Sequence, residues 1–214
     1  MVVHELINDK LILRFMEIRN RDLDLMYEIG TLRFVPRMWR QFLNKDFANL
    51  AEHSLRVVWI SLLISKYEGL QNTDKLVKMA LVHDVAESRT GDVHYLSRQY
   101  VDRYEDKAIQ EIFDNTVFEE EFKQLISEYE NRLSIEAQIV KDADNLDVDI
   151  ELKEQSLKGY EIPQWHEMRE YVYANKLYTE TAKSIWRLIQ SSSPHEWHLN
   201  ANNRFKAGDW TKEK

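Results

Sequence analysis

The chain has 214 residues, enough for one generous domain with its own core, and 43% of them are apolar, an ordinary share for a globular protein. With only 5 glycines and 3 prolines there is little punctuation, which favours long helices over many short strands, and with no cysteine, disulfide, zinc–thiolate and iron–sulfur chemistry are excluded. A net charge of −8 argues against a nucleic-acid polymer as partner, because such a binder needs a basic surface to displace counterions.

The N-terminal stretch MVVHELINDKLILRF has early acids and no apolar run of signal length. No window approaches the ~18 apolar residues of a membrane span. A soluble, cytoplasmic protein with no membrane partner is the expectation. Residues 5–17 form a short element of uncertain type. Arg21 to Val35 predicts a helix with Leu25, Ile29 and Leu32 on one stripe, ended by Pro36, since the residue before proline is pushed out of the helical region. Arg37-Met38-Trp39-Arg40 then sets guanidinium groups and an indole beside a helix end; on its own this reads as a surface loop with an anchoring tryptophan.

From Leu50, AEHSLRVVWISLLISKYEG is apolar on most of its circumference, which predicts a central helix ending at Gly69. His53 shares a face with Val57, Ile60 and Ile64 and so points inward. Asn72-Thr73-Asp74 offers caps for the next helix, on which Leu76, Met79, Ala80 and His83 follow at helical offsets. That helix is expected to run to Arg89-Thr90-Gly91, with Glu87 one turn beyond His83 and Asp92 on the loop after it. Histidine and aspartate on a buried face need a partner or a ligated ion, because desolvating them alone costs several kcal/mol.

Tyr95 to Asn115 predicts a charged helix, and the glutamate-rich segment Val117 to Asn131 a solvated face. Ser134 caps a helix to Leu157, with Ile135, Ile139, Ala143, Leu146 and Ile150 as its stripe. Asp144, bracketed by Ala137, Val140 and Val148, is half-buried and wants a cation, although Asp142, Asp147, Asp149 and Glu151 make a plain acidic surface the competing reading. Gly159 and Pro163 punctuate, a last helix covers about Trp165 to Gln190, and the polar tail 191–214 is loosely packed unless Trp197 or Trp210 docks it. The expectation is an all-α, single-domain helical bundle over 1–190, its core about 33–157, with a metal site between core helices.

The order His53 … His83-Asp84 … Asp144, within AEHSLRV, HDVAESRTGD and VKDADNLD, resembles the HD-domain superfamily of metal-dependent phosphohydrolases, and most of all its 5′-deoxynucleotidase branch. The resemblance covers roughly Arg33 to Leu157. It implies that His53, His83, Asp84 and Asp144 hold one divalent transition metal ion, and a set of two nitrogens and two oxygens suits Mn, Co, Fe, Ni or Zn. It further implies Glu87 and Asp92 as catalytic residues, Arg37 as the phosphate-binding arginine, Lys141 as a structural cation and a homodimer whose interface the helix pattern does not identify. The implied reaction is phosphate release from (deoxy)nucleoside 5′-monophosphates. The alternatives are an HD-type phosphoesterase for another small phosphoester, a diiron oxygenase using an extra histidine such as His94, and a non-enzymatic metal- or nucleotide-binding module. The sequence departs from the branch in two places. Met38 follows the arginine where the branch has tryptophan, leaving Trp39 one residue later as the substrate-side candidate. His94 and Arg98 follow Gly91-Asp92 where the branch often has prolines.

Overall fold

The computed structural model describes residues 18–200, so the element expected at 5–17 and any docking of Trp210 lie outside the described residues. These residues fold as packed helices, and an isolated antiparallel bridge, Pro36 to Asn49, is the extended pairing among them. Helix α1 is Asn20–Gly30, continued by a tighter 3-10 turn, Thr31–Phe34, up to the proline. Helix α2, Leu50–Tyr67, begins with a reciprocal cap: the Asn49 side chain accepts from Glu52 N, and Asn49 N donates to the Glu52 carboxylate. It ends where Gly69 adopts φ 76° and Leu70 N reaches back to Ser65 O at 2.9 Å, satisfying a last-turn carbonyl.

Helix α3, Asp74–Val82, is shorter than expected. The chain tightens over residues 83–86, where Val85 N bonds Val82 O and Glu87 N bonds Asp84 O three residues back, and helix α4 follows at Glu87–Thr90. The break falls on the His83-Asp84 pair itself. Residues 95–115 also depart from expectation: a short 3-10 turn at Ser97–Gln99 and a loop precede helix α5, Glu105–Phe113. Helix α6 is Glu119–Asn131, and α7, Ile135–Ser156, starts with Ala137 N donating to the expected Ser134 cap. The single last helix is in fact two, α8 at Gln164–Asn175 and α9 at Glu180–Ser191, followed by the short α10 at Glu196–Leu199. Thr179 caps α9, and buried Asp142 of α7 accepts from Thr179 N, Thr179 Oγ1 and Tyr178 N, which pins the turn between them. Trp197 stays exposed and does not dock the tail.

Helix α7 is the central element, packed against α2, α3, α6 and α9. The main core joins Val57 and Ile64 of α2, Leu76 and Met79 of α3, Tyr129 of α6, Ile139, Ala143 and Leu146 of α7, and Ala182 and Ile189 of α9. The core therefore runs on past residue 157 to the end of α9. A second cluster gathers Leu25, Val85, Ile112, Phe113 and Ile126 under the 83–86 turn, and a third joins Trp39, Phe47 and Val148. Each fully buried leucine, isoleucine or phenylalanine contributes roughly 1.5–3 kcal/mol, so the clusters hold the helices that flank residues 83–86. Helix α2 is central on one side only: Leu55, Trp59, Leu63 and Tyr67 face outward. No helix among the described residues is long and apolar enough to cross a membrane.

Candidate metal centre and active site

Four side chains from three separate places in the chain converge at one point. His53 comes from the first turn of α2, His83 and Asp84 from the broken helix, and Asp144 from the middle of α7. Their ligand-capable atoms all lie within 4.8 Å of one another. His53 Nε2 is 3.3 Å from His83 Nε2, 3.4 Å from Asp84 Oδ2 and 3.4 Å from Asp144 Oδ1. His83 Nε2 is 3.3 Å from Asp84 Oδ2.

The far side of each imidazole fixes what the near side presents. His83 Nδ1 lies 2.8 Å from Ala80 O, and a carbonyl only accepts, so Nδ1 carries the proton and Nε2 of the neutral ring presents a lone pair. His53 Nδ1 lies 2.5 Å from Asp147 Oδ2, a buried carboxylate also paired with Arg56 Nε at 3.2 Å, and the same logic applies. With both rings neutral, two lone pairs and two carboxylates would face one another in a buried space, an arrangement that repels itself unless a cation, either a proton on His53 or a metal ion, joins it. Burial and the Arg37 charge oppose protonation of His53, yet Asp144, Asp147 and Asp84 prevail and hold its pKa well above the ordinary value. Asp84 and Asp144 are pulled well below theirs: burial opposes this, but the neighbouring histidines act on Asp84, and Lys141 and His53 on Asp144. Both carboxylates stay ionised, and the site demands positive charge. The donor set fits a divalent transition metal ion, with the outer hydrogen bonds to Ala80 O and Asp147 orienting the rings.

The remaining candidates are placed as follows. Arg37 is buried, its Nη1 3.4 Å from Asp84 Oδ2 and 3.2 Å from Asp92 Oδ2, so it borders the quartet. Asp92 is engaged with it rather than facing the ligands: the same Oδ2 accepts from Met38 N at 2.9 Å. Gly91, at φ 72° and ψ 157°, makes the turn that sends Asp92 back to the arginine. Glu87 is buried with Oε2 lacking a hydrogen-bond partner and Oε1 3.8 Å from Arg103 Nη1. Burial first, then the Asp84 and Asp92 charges, push its pKa to about 10. Lys141 Nζ holds Asp144 Oδ2 at 2.7 Å. A cleft of about 380 Å³ opens beside the quartet, lined by His83, Asp84, Glu87, Arg98, Arg103, Tyr129, Arg132 and Lys141.

Two candidates are not brought to this point. Trp39 is 5% exposed, its ring edge-on to Trp165 at 4.7 Å in the third cluster, which matches the anchoring reading of residues 37–40. His94 bonds Ser97 and packs on Phe42, outside the ligand set, so it supplies no second metal position. Sequence reasoning missed Asp147, Arg103 and Arg132. Asp147 had a signal, since it stands three residues beyond Asp144 and so on a neighbouring stripe of α7; Arg103 and Arg132 sit in loops, where no periodicity marks them.

The fold and the quartet together define a class. The HD-domain profile matches residues 29–187, and the chain belongs to that family, among its metal-dependent phosphohydrolases. A Danio rerio protein named 5′-deoxynucleotidase HDDC2 is 32% identical over 144 residues, which are 64% of this chain and 71% of that one. Among solved structures, a conserved hypothetical protein from Pyrococcus furiosus superposes with a TM-score of 0.66 at 29% identity, over 79% of this chain and 99% of that one. A cyanophage S-2L HD phosphohydrolase bound to dA and one catalytic Zn²⁺ ion shares the fold at a TM-score of 0.51 and 18% identity, over 78% and 96% of the two chains.

Proposed function

We propose that this protein is a divalent-metal-dependent 5′-nucleotidase that releases inorganic phosphate from (deoxy)nucleoside 5′-monophosphates. The observation that carries the reading is the inward-facing pair of Nε2 atoms set against Asp84 and Asp144, with Arg37 at its edge and a cleft large enough for a nucleotide beside it. The named relative supports the substrate class. A bound Mn, Co, Fe, Ni or Zn ion supplies Lewis acidity and an activated water at neutral pH.

The chain's own residues do the rest. Arg37, kept cationic by Asp92 and Asp84, receives a phosphate oxygen. Asp92 positions Arg37 and, through Met38 N, the loop beneath it. Glu87 carries a proton in its buried setting, which suits proton donation to the leaving 5′ oxygen. Trp39 serves the substrate side indirectly, by anchoring the segment that carries Arg37 and Met38. The sugar then meets Met38 or the cleft wall rather than an indole. The protein acts in the cytoplasm on a small phosphomonoester and needs no nucleic-acid polymer.

The test is phosphate release from a panel of ribo- and deoxyribonucleoside 5′-monophosphates, by protein stripped with chelator and resupplied with Mn, Co, Ni, Zn or Mg, with Asp84→Ala as control. Metal-dependent release that vanishes in the variant is expected. A silent panel with every metal, in protein that still binds one ion tightly, overturns the nucleotidase reading.

A further inference from the structure

The cleft beside the quartet carries cations that a single bound phosphate does not use. Arg37, the phosphate-binding candidate, does not line it, whereas Arg98, Arg103, Arg132 and Lys141 do. Two of these are occupied within the protein: Lys141 holds Asp144, and Arg103 holds Glu105. Arg98 donates Nε to Val93 O at 2.6 Å. The Arg132 guanidinium makes no hydrogen bond or ion pair among the described residues, and its Nη1 is buried without a partner. The acids of the same cleft do not answer it. Asp84 belongs to the quartet, Glu87 is protonated and Glu105 is held by Arg103, while Asp106 and Glu130 are exposed and pair with no cation among the described residues.

Arg132 is also placed at a cost. It ends α6 in the left-handed conformation, φ 54° and ψ 32°, where glycine or asparagine is usual. An arginine at a helix C-terminus can bond the last carbonyls. This one folds back over Tyr129 instead, its guanidinium carbon 4.0 Å from the ring centroid. Tyr129 is itself buried and stands edge-on to His83, the ring centroids 5.6 Å apart. A single fixed ring thus touches both the guanidinium and a metal ligand. A desolvated guanidinium nitrogen without an acceptor is costly, and the planar fork, held flat on an aromatic face, matches a phosphate bidentately. We infer that Arg132 receives a second phosphate group of the substrate, apart from the one bound at the quartet. The preferred nucleotide then carries two phosphates, both on the 5′ chain or one each on the 5′ and 3′ positions. This inference rests on the nucleotidase reading and narrows its substrate class. A neutral base edge could accept from the same fork but would leave the buried charge without a counterion.

Isothermal titration of Mn-loaded full-length Glu87→Gln protein, in which turnover is stopped, tests this. The probes are deoxyadenosine 5′-monophosphate, deoxyadenosine 5′-diphosphate and deoxyadenosine 3′,5′-bisphosphate. At least one doubly phosphorylated probe is expected to bind about tenfold or more tighter than the monophosphate, as for an added charge-assisted hydrogen bond. The probe that shows the gain tells whether the second phosphate sits on the 5′ chain or on the sugar. Adding Arg132→Gly or Arg132→Asn, both compatible with the left-handed backbone, is expected to bring the ratio of affinities to about one. Arg132→Lys, which keeps the charge but not the fork, is expected to retain part of it. Circular dichroism confirms that each variant is folded. A ratio near one before Arg132 is changed, or a ratio that persists in folded Arg132→Gly, overturns the role, even where the affinities for all three probes fall together. Protein that loads Mn but binds none of the three nucleotides overturns the nucleotidase reading and this inference with it, so the two failures are told apart.

Discussion

Removing Asp147 tests the tautomer argument on which the metal centre rests. Its Oδ2 takes the His53 Nδ1 proton at 2.5 Å, and the carboxylate is buried against Arg56. In Asp147→Ala the ring of a wholly buried histidine loses the acceptor that fixes which nitrogen is protonated. Two effects follow. A buried donor left without a partner costs about 1–3 kcal/mol of stability. Separately, Nε2 now competes for the proton, and loss of such an outer partner weakens metal binding by roughly 10–100-fold, about 1.4–2.7 kcal/mol. Asp147→Asn keeps an acceptor oxygen but not the charge, so its loss of affinity is expected to be the smaller. Competition with a chelating dye measures affinity without reference to turnover. An Asp147→Ala protein that is folded and binds the ion within twofold of wild type would falsify the assignment of His53 Nε2 as a ligand held by this hydrogen bond.

Glu87→Gln is expected to abolish phosphate release while leaving metal content unchanged; loss of the ion instead would make Glu87 a ligand. The same variant has a pH consequence in chelator-treated protein. Glu87 is protonated in the folded chain up to about pH 10 but ionises near the ordinary carboxyl value when unfolded, so the folded state holds the extra proton in between and its stability falls as pH rises across that window. Melting curves between pH 5 and 9 are expected to fall more steeply for wild type than for Glu87→Gln, and parallel curves would refute the shift. Arg169→Ala strands Asp149, which it holds through two bonds of 2.8 and 2.7 Å in a buried setting, and is expected to cost about 3–5 kcal/mol in denaturant unfolding. Gly91→Ala meets open space for its methyl group but a backbone conformation that only glycine adopts readily, so a loss of about 1–3 kcal/mol is expected from strain alone, with weaker phosphate binding as Asp92 shifts from Arg37. An unchanged melting temperature would show that the loop relaxes freely.

The ligand quartet was legible because each member sits in an apolar setting that a lone charge could not tolerate, and because the motif words around His53, His83-Asp84 and Asp144 are specific in combination. Caps at Asn49 and Ser134 were equally local signals, although the sequence reading used only the second. What was hidden depends on partners far away in the chain. Asp142, Asp147, Asp149 and Glu151 look like a solvated acidic surface, yet all are buried, because their partners lie at Thr179, His53, Arg169 and Ala48. The split between α8 and α9 was missed for the same reason, since it is Asp142 that holds the turn. The break at His83 was masked by good helix formers: the ring seizes the Ala80 carbonyl, a contact that propensity does not register. Trp39 could be assigned to the substrate or to the core from sequence, and only the position of Trp165 separates the two.

The buried acids of α7 have a consequence for how the molecule comes apart. Asp142 fastens the start of α9, Asp144 completes the quartet, Asp147 orients α2's histidine, Asp149 fastens α8 and Glu151 fastens the segment before α2 through Ala48 N. The start of α9, α8, α2 with the segment before it, and the quartet are thus moored to neighbouring turns of one rod. Opening α7 releases all of them together, so amide exchange along this helix should proceed only by global unfolding, with binding-site assembly and chain closure as a single cooperative event.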